Sequence, residues 1–207
     1  AIAGVWPVDE GEIIIDGKNV TKLPEHKRAA YLGRVFQDPM MGTAATMGID
    51  ENMALAMRRG KSRGLRIGIT QKERNQFREM LKVLDLGLED RLTSKVGLLS
   101  GGQRQALALL MATMTPIDFL ILDEHTAALD PKTAEIIMEL TAKIVKEKHL
   151  TTLMVTHNLR HALTYGDRLL MLHEGQVVLD RQGEEKRATQ LDDILGLFNA
   201  ISIECGN

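Results

Sequence analysis

The chain predicts an α/β fold: a parallel sheet core, an inserted α-helical subdomain and a small antiparallel β part. Three observations carry that reading. Hydrophobic residues make up 44% of the chain but aromatic ones only 3%, a balance suited to an aliphatic core between sheet and helices. Ile117–Leu122 is apolar without alternation, as a strand buried on both faces requires. A helical pattern runs from Asp130 to about Lys148, and a short strand follows at Thr151–Thr156. Strand, helix, strand at this spacing is a βαβ unit, so the two strands run parallel with a right-handed crossover.

At 207 residues the chain can bury one full core, with or without an inserted lobe. A formal net charge of −2 supplies no global basic field, so no nucleic-acid partner is expected. The single cysteine, Cys205, has no partner for an internal disulfide, which suits a cytoplasmic setting. No apolar run approaches the roughly 18 to 20 residues that span a bilayer. Trp6-Pro7-Val8-Asp9-Glu10 breaks any signal-like start. A role in a membrane process would be exerted from the cytoplasm, through a partner.

Taken in order, Ala1–Gly4 reads as the end of a helix closed by glycine. Pro7–Gly11 is a turn, and Glu12–Asp16 is a short strand closed by Gly17. Tyr31–Gln37 is a second strand, broken at Asp38-Pro39; residues 1–46 make the first part of the core. From 47 to 96 the character turns helical. Gly48–Met57 is one helix, and Thr70–Leu84 is another, with a capping box from Thr70 to Glu73 and an apolar stripe at Phe77, Leu81 and Leu84. The loop between them is basic (Arg58, Arg59, Lys61, Arg63, Arg66) and reads as solvated rather than as a binding patch.

The core resumes over 97–183. Leu99–Gln103, Leu-Ser-Gly-Gly-Gln, opens a helix with Leu107, Leu110, Met111 and Met114 on one face. Asp130-Pro131 supplies an N-cap and an N1 proline to the next helix, whose Ile136, Ile137, Leu140 and Ile144 face inward. Leu159–Thr164 is a short helix. Arg168–Leu172 and Val177–Asp180 form a hairpin turning at Glu174-Gly175. The tail, 184–207, is charged and then weakly amphipathic through Leu191, Ile194, Leu195 and Phe198.

The chemistry gathers at the carboxyl edge of the sheet, where open α/β folds bind ligands. Asp123 ends a buried strand, the type of position that holds Mg²⁺ in phosphoryl-transfer sites. Glu124 beside it could orient or deprotonate a water. His157 follows the next strand and can donate to a phosphate, and Gln37 can reach both metal and water. Ser100 is an N-cap, and Gly101 and Gly102 leave N–H groups bare at a helix start that suits an anion. Each feature alone has a bland explanation: a loop acid, a structural histidine, a glycine that merely starts a helix. Their conjunction outweighs those.

This succession resembles the nucleotide-binding domain of ABC-type ATPases, in which signature (Leu99–Gln103), Walker B (Ile117–Glu124) and D-loop (Ala127–Asp130) motifs follow in this order. The resemblance covers nearly all of residues 1–183. It implies a P-loop NTPase-like core that uses ATP and Mg²⁺, with Gln37 as the Q-loop glutamine. It also implies that Ser100, Gly101, Gly102 and Gln103 touch the γ-phosphate of ATP held by an opposite subunit, and that Asp130 lies across that interface. Partners would be a second copy or a paired ABC domain, a transmembrane permease meeting the helical lobe, and a solute-binding protein. The location would be cytoplasmic, peripheral on the inner face of the membrane. Asp123-Glu124-His125-Thr126 with the Gly97-Leu98-Leu99 lead-in resembles a bacterial subgroup associated with tryptophan or tyrosine uptake.

Departures qualify the match. His125 stands where the family usually has proline, and Gln105–Met114 lacks the arginine common in the signature helix. A P-loop, G-x-x-x-x-G-K-[ST], does not occur: Gly60-Lys61-Ser62 has Leu55 where the first glycine belongs and follows a helix. The expectation is that the natural N-terminus is missing here and that these 207 residues alone do not hydrolyse ATP. Two rivals stay open, a soluble ABC ATPase outside transport and a catalytically inert module of the same fold.

Overall fold

The computed structural model describes residues 1–61 and 68–204, with side chains to Leu197. The chain divides into two compact units, Ala1–Val155 and Thr156–Asn207.

The first unit opens on an antiparallel pair, β1 (Ile14–Ile15) and β2 (Lys18–Asn19). Asp16 and Gly17 both take positive φ (47° and 71°), the mirror-image turn that suits a two-residue hairpin. After a short α1 (Glu25–Arg28) comes β3 (Leu32–Val35), then α2 (Ile49–Met57), α3 (Gln71–Lys82), α4 (Gly101–Thr113), β4 (Phe119–Asp123), α5 (Pro131–Lys148) and β5 (Thr151–Val155). The strands β3, β4 and β5 form a parallel sheet in that order. The βαβ unit is therefore as expected, with Phe119 opposite Thr151 and Asp123 opposite Val155. Leu120, Ile121 and Leu122 are all buried, as a strand covered on both faces requires.

Three apolar clusters fill this unit. Ala108, Leu109 and Ala112 of α4 pack with Val35, Leu120, Leu122 and Ile144. The opposite face of α4, Leu107 and Leu110 with Met111 and Met114, packs with α2 and α3 through Ile49, Met53, Phe77 and Leu81. So α4 is buried on two sides and joins the sheet to the helical segment. Thr70 caps α3 as its sequence predicts: its Oγ1 accepts from Glu73 N–H at 3.2 Å, and the Glu73 carboxylate accepts from Thr70 N–H at 2.7 Å. The Thr70 N–H and then the Thr70 hydroxyl, both donating to its carboxylate, hold the Glu73 carboxyl below its usual pKa. The third cluster sets Ile15, Val20, Leu32 and Ile121 under the β1–β2 pair.

Several expectations need correction. Ala1–Gly4 is a hydrogen-bonded turn, not a helix; Gly4 N–H donates to Ala1 C=O at 2.8 Å. Ile136 is 46% exposed; the inward face of α5 is Ala134, Ile137, Met138, Thr141 and Ile144. Of the basic loop, Arg63 and Arg66 lie outside the described residues, and Arg59 is not solvated. Its Nη2 donates to the carbonyls of Met111 and Ala112 at 2.9 and 3.0 Å, at the end of α4. The fully enclosed Arg28 went unanticipated. It donates to the carbonyls of Ala1, Ile2, Thr21 and Leu23 at 2.7–2.8 Å, which replaces the water a buried cation loses.

The second unit contains α6 (Leu159–Thr164), the antiparallel hairpin β6 (Arg168–His173) and β7 (Gln176–Gln182), then α7 (Gly183–Ala188) and α8 (Leu191–Glu204). The turn falls at Glu174-Gly175, as expected. Asn158 caps α6 by accepting from Arg160 and His161 N–H groups. In α8, Ile194 is buried while Leu195 is 42% exposed, so the tail's inward stripe is narrower than its sequence suggests. Buried Lys186 donates to the carbonyls of Tyr165 and Gly166, and its burial lowers its pKa.

Candidate active site

The parallel register of β3 and β4 pairs Val35 with Leu122, so both strands end at one edge of the sheet. Asp123 is the last residue of β4, with its side chain 39% exposed at that edge. Glu124, the next residue, turns the chain out of the strand with φ 46°, while its N–H donates to Val155 C=O at 2.9 Å. A non-glycine residue held in the left-handed region costs on the order of 1 kcal/mol or more, and such strain concentrates at functional positions. Gln37 lies two residues past β3 and is exposed. The first unit therefore brings Gln37, Asp123 and Glu124 to the ends of adjacent strands.

Sequence reasoning missed two residues here. Arg34 Nη2 donates to Asp123 Oδ2 at 2.7 Å, and its guanidinium carbon stands 4.5 Å from the Phe36 ring centroid. Gln105 is fully buried in α4, and its Nε2 donates to the Phe36 carbonyl at 3.3 Å, which fixes the residue before Gln37. The available signals were a cation in an otherwise apolar strand and a polar residue on a helix face that had to be buried.

A second group stands at two helix starts. Ser100 Oγ accepts from Gln103 N–H, and Gln103 Oε1 accepts from Ser100 N–H, both at 3.2 Å. Gln103 Nε2 also reaches the Leu86 carbonyl at 3.4 Å, so this side chain is engaged within the fold. Exposed Ser100 and Gly101, with the first-turn N–H groups of α4, form the outward surface. A Cβ on Gly102 would lie 2.3 Å from Thr133 Cγ2, so only glycine lets α4 approach the first turn of α5. Asp130 caps that turn, its Oδ1 accepting from Thr133 N–H at 3.1 Å. Hydrogen bonds from the Thr133 side chain and backbone hold its carboxyl below the usual pKa. The structure thus sets Ser100–Gln103 beside the start of α5. His157 is exposed and belongs to the second unit.

Among the described residues no group of three or more His, Cys, Asp or Glu could form a metal cage. One carboxylate with substrate phosphates and water is the set that Mg²⁺ uses in nucleotide sites, and Asp123 fits it. His125, in place of a proline, is buried with Nε2 3.2 Å from Thr141 Oγ1, tying the post-strand loop to α5. A cleft of about 510 Å³ opens at the other end of the sheet, lined in part by Ile13, Ile15, Phe119, Lys148 and Leu150, and holds none of these groups.

Comparison with known proteins agrees with this geometry. A family model described as ABC transporter matches residues 1–127. The tyrosine transport ATP-binding protein of Clostridioides difficile is 48% identical over 197 residues, covering 95% of this chain and 78% of that protein. The thiamine import ATP-binding protein of Histophilus somni is 33% identical over 84% of this chain and 76% of its own length. Among solved structures, the dimeric post-hydrolysis state of an ATP-binding cassette bound to ADP and Pi aligns with a TM-score of 0.70. It is 31% identical and covers 87% of this chain and 77% of that one. No helix among the described residues is long and apolar enough to cross a membrane.

Proposed function

The chain belongs to the ABC transporter family, as an ATP-hydrolysing subunit of a bacterial importer, and on that premise we propose that it energises uptake of an aromatic amino acid, tyrosine foremost. The observation that carries the catalytic part is the Asp123-Glu124 pair at the carboxyl end of β4, with Glu124 strained outward. In this reading Glu124 orients and deprotonates the water that attacks the γ-phosphate in line. Asp123 and Gln37 would hold Mg²⁺, which would neutralise phosphate charge when bound. His157 is the residue proposed to donate to the γ-phosphate. Ser100, Gly101 and Gly102 direct N–H and hydroxyl donors at the nucleotide of a paired domain, with Gln103 fixing the cap and Asp130 lining that interface. The dimeric cassette among the similar structures supports such pairing.

The permease partner follows from the importer class. The helical lobe 47–96 is the part proposed to meet it, and Leu55 and Val83, 51% and 42% exposed, offer apolar contact there. A solute-binding protein would deliver substrate, and the subunit would sit on the cytoplasmic face. The test is Glu124→Gln in the full-length gene product. Turnover should fall by about 10²–10⁴-fold, the range of a lost general base, while ATP binding persists. Unchanged turnover would remove Glu124 from that role. Tyrosine-dependent stimulation after reconstitution with the permease tests the substrate, and stimulation only by unrelated solutes would overturn it.

A further inference from the structure

The functional reading gives no task to Arg34, a cation placed against its proposed metal-binding carboxylate. Arg34 sits between the buried residues Gly33 and Val35, the one charged side chain of β3. It is held in place from behind: its guanidinium packs over the Phe36 ring, and Gln105 pins the Phe36 carbonyl. Its ion pair with Asp123 is partly open to solvent, the two side chains being 25% and 39% exposed. Pairs this exposed add little to stability. Arg34 Nε, meanwhile, is buried with no hydrogen-bond partner, which is a cost. The fold accepts that cost and keeps a positive charge on the carboxylate that the proposed function assigns to a divalent cation.

We propose that Arg34 is the resident counter-ion of Asp123, holding its carboxylate while no divalent cation is bound and releasing Oδ2 as one binds. The inference rests on the reading of Asp123 as a metal-binding group. Its physical content is an exchange of charges. An unopposed Asp123 would carry a full negative charge at the sheet edge, and Arg34 neutralises it with a hydrogen bond of fixed direction. A divalent cation then competes with the guanidinium for the same oxygen and feels its repulsion at close range. Arg34 is a positioning residue, and its signature is a weakened metal affinity coupled to an ordered metal-free carboxylate.

The experiment measures Mn²⁺ binding to the full-length gene product with ATP, by the paramagnetic resonance of free Mn²⁺. Arg34→Gln and Arg34→Met both remove the charge, and each should tighten Mn²⁺ binding by about tenfold. Arg34→Lys keeps the charge and should stay within about twofold of the parent. Raising the salt concentration should narrow the difference between parent and neutral variants. Unchanged or weaker Mn²⁺ binding in both neutral variants overturns the proposal. Failure of both to fold overturns it too, because Arg34 would then be a structural residue. A parent that binds neither ATP nor Mn²⁺ would sink the ATPase reading itself, which is a distinct result from a binding parent with unresponsive variants.

Discussion

The two ends of α4 are built on opposite plans. At its C-terminus the carbonyls that a helix leaves unpaired are taken up by cations from elsewhere in the chain. Arg59 Nη2 donates to Met111, Ala112 and the Thr115 hydroxyl, and Lys148 Nζ donates to the Thr113 carbonyl at 2.7 Å. Burial lowers the Arg59 pKa, the expense of holding a cation there. At its N-terminus the first turn carries no acidic residue, only two glycines and a serine–glutamine capping box. One helix dipole is therefore neutralised at its C-terminal end and left uncompensated at the end where the proposed function places a phosphate.

The comparison breaks first at Arg59. Arg59→Ala removes a charged donor from two helix-end carbonyls, and urea unfolding should show a loss of about 2–3 kcal/mol. ATP binding by the folded protein should persist, since the open end of the helix is untouched. A variant of parental stability with lost ATP binding would contradict the division between the ends.

Gly102 tests the other end through packing. Gly102→Ala places a methyl against Thr133 Cγ2, where 2.3 Å is available. The overpacking should cost about 1–2 kcal/mol after the helical gain of alanine is counted. It should also shift the α4 start relative to α5 and slow turnover of the full-length gene product. Adding Thr133→Ser deletes the opposing methyl yet keeps the hydroxyl, and should restore most of both. No rescue by the double variant would place the fault elsewhere.

Ser100 is smaller still in stability and larger in function. Ser100→Ala loses an N-cap, worth about 1 kcal/mol in thermal unfolding. If the N-terminus of α4 meets phosphate, turnover of the full-length gene product should drop more than that stability loss accounts for. An equal drop in an Arg59 variant matched for stability would erase the contrast.

How much of this was legible depends on the range of each interaction. The cap of α3 at Thr70 and Glu73, the Asp130-Pro131 start of α5 and the turn at Glu174-Gly175 use partners within four residues, and the sequence displays both members. The βαβ crossover follows from chirality and spacing alone. Arg34 and Asp123 are 89 positions apart, and Arg59 and Met111 are 52 apart. Nothing local marks such partners, so Arg59 read as a solvated loop residue and Arg34 drew no notice. The error at Ile136 has another cause. Position 136 borders the apolar stripe of α5, and only the placement of neighbouring elements decides that Met138 faces inward instead. At the site, motif order nominated Gln37, Asp123 and Glu124, which the fold sets at the ends of adjacent strands, while Arg34 and Gln105 beside them needed the fold to be noticed.

The smallest effect separates the starts of α4 and α5. Both are capped, but Ser100 is neutral, whereas Asp130 is a carboxylate whose pKa its bonds to Thr133 depress. A depressed folded-state pKa means the carboxylate form is favoured by folding. Its contribution is complete above the unfolded pKa, near about 4, and is lost as pH falls through the lower folded value. Asp130→Asn keeps a good cap but cannot titrate. Urea midpoints of parent and variant should therefore differ by a constant amount at neutral pH and converge below about pH 4. Ser100→Ala, measured in parallel, should show a difference from the parent that does not change over that range. Convergence in the Ser100 pair, or none in the Asp130 pair, would mean that the helix starts are not distinguished by charge and that α4 owes its openness to its glycines alone.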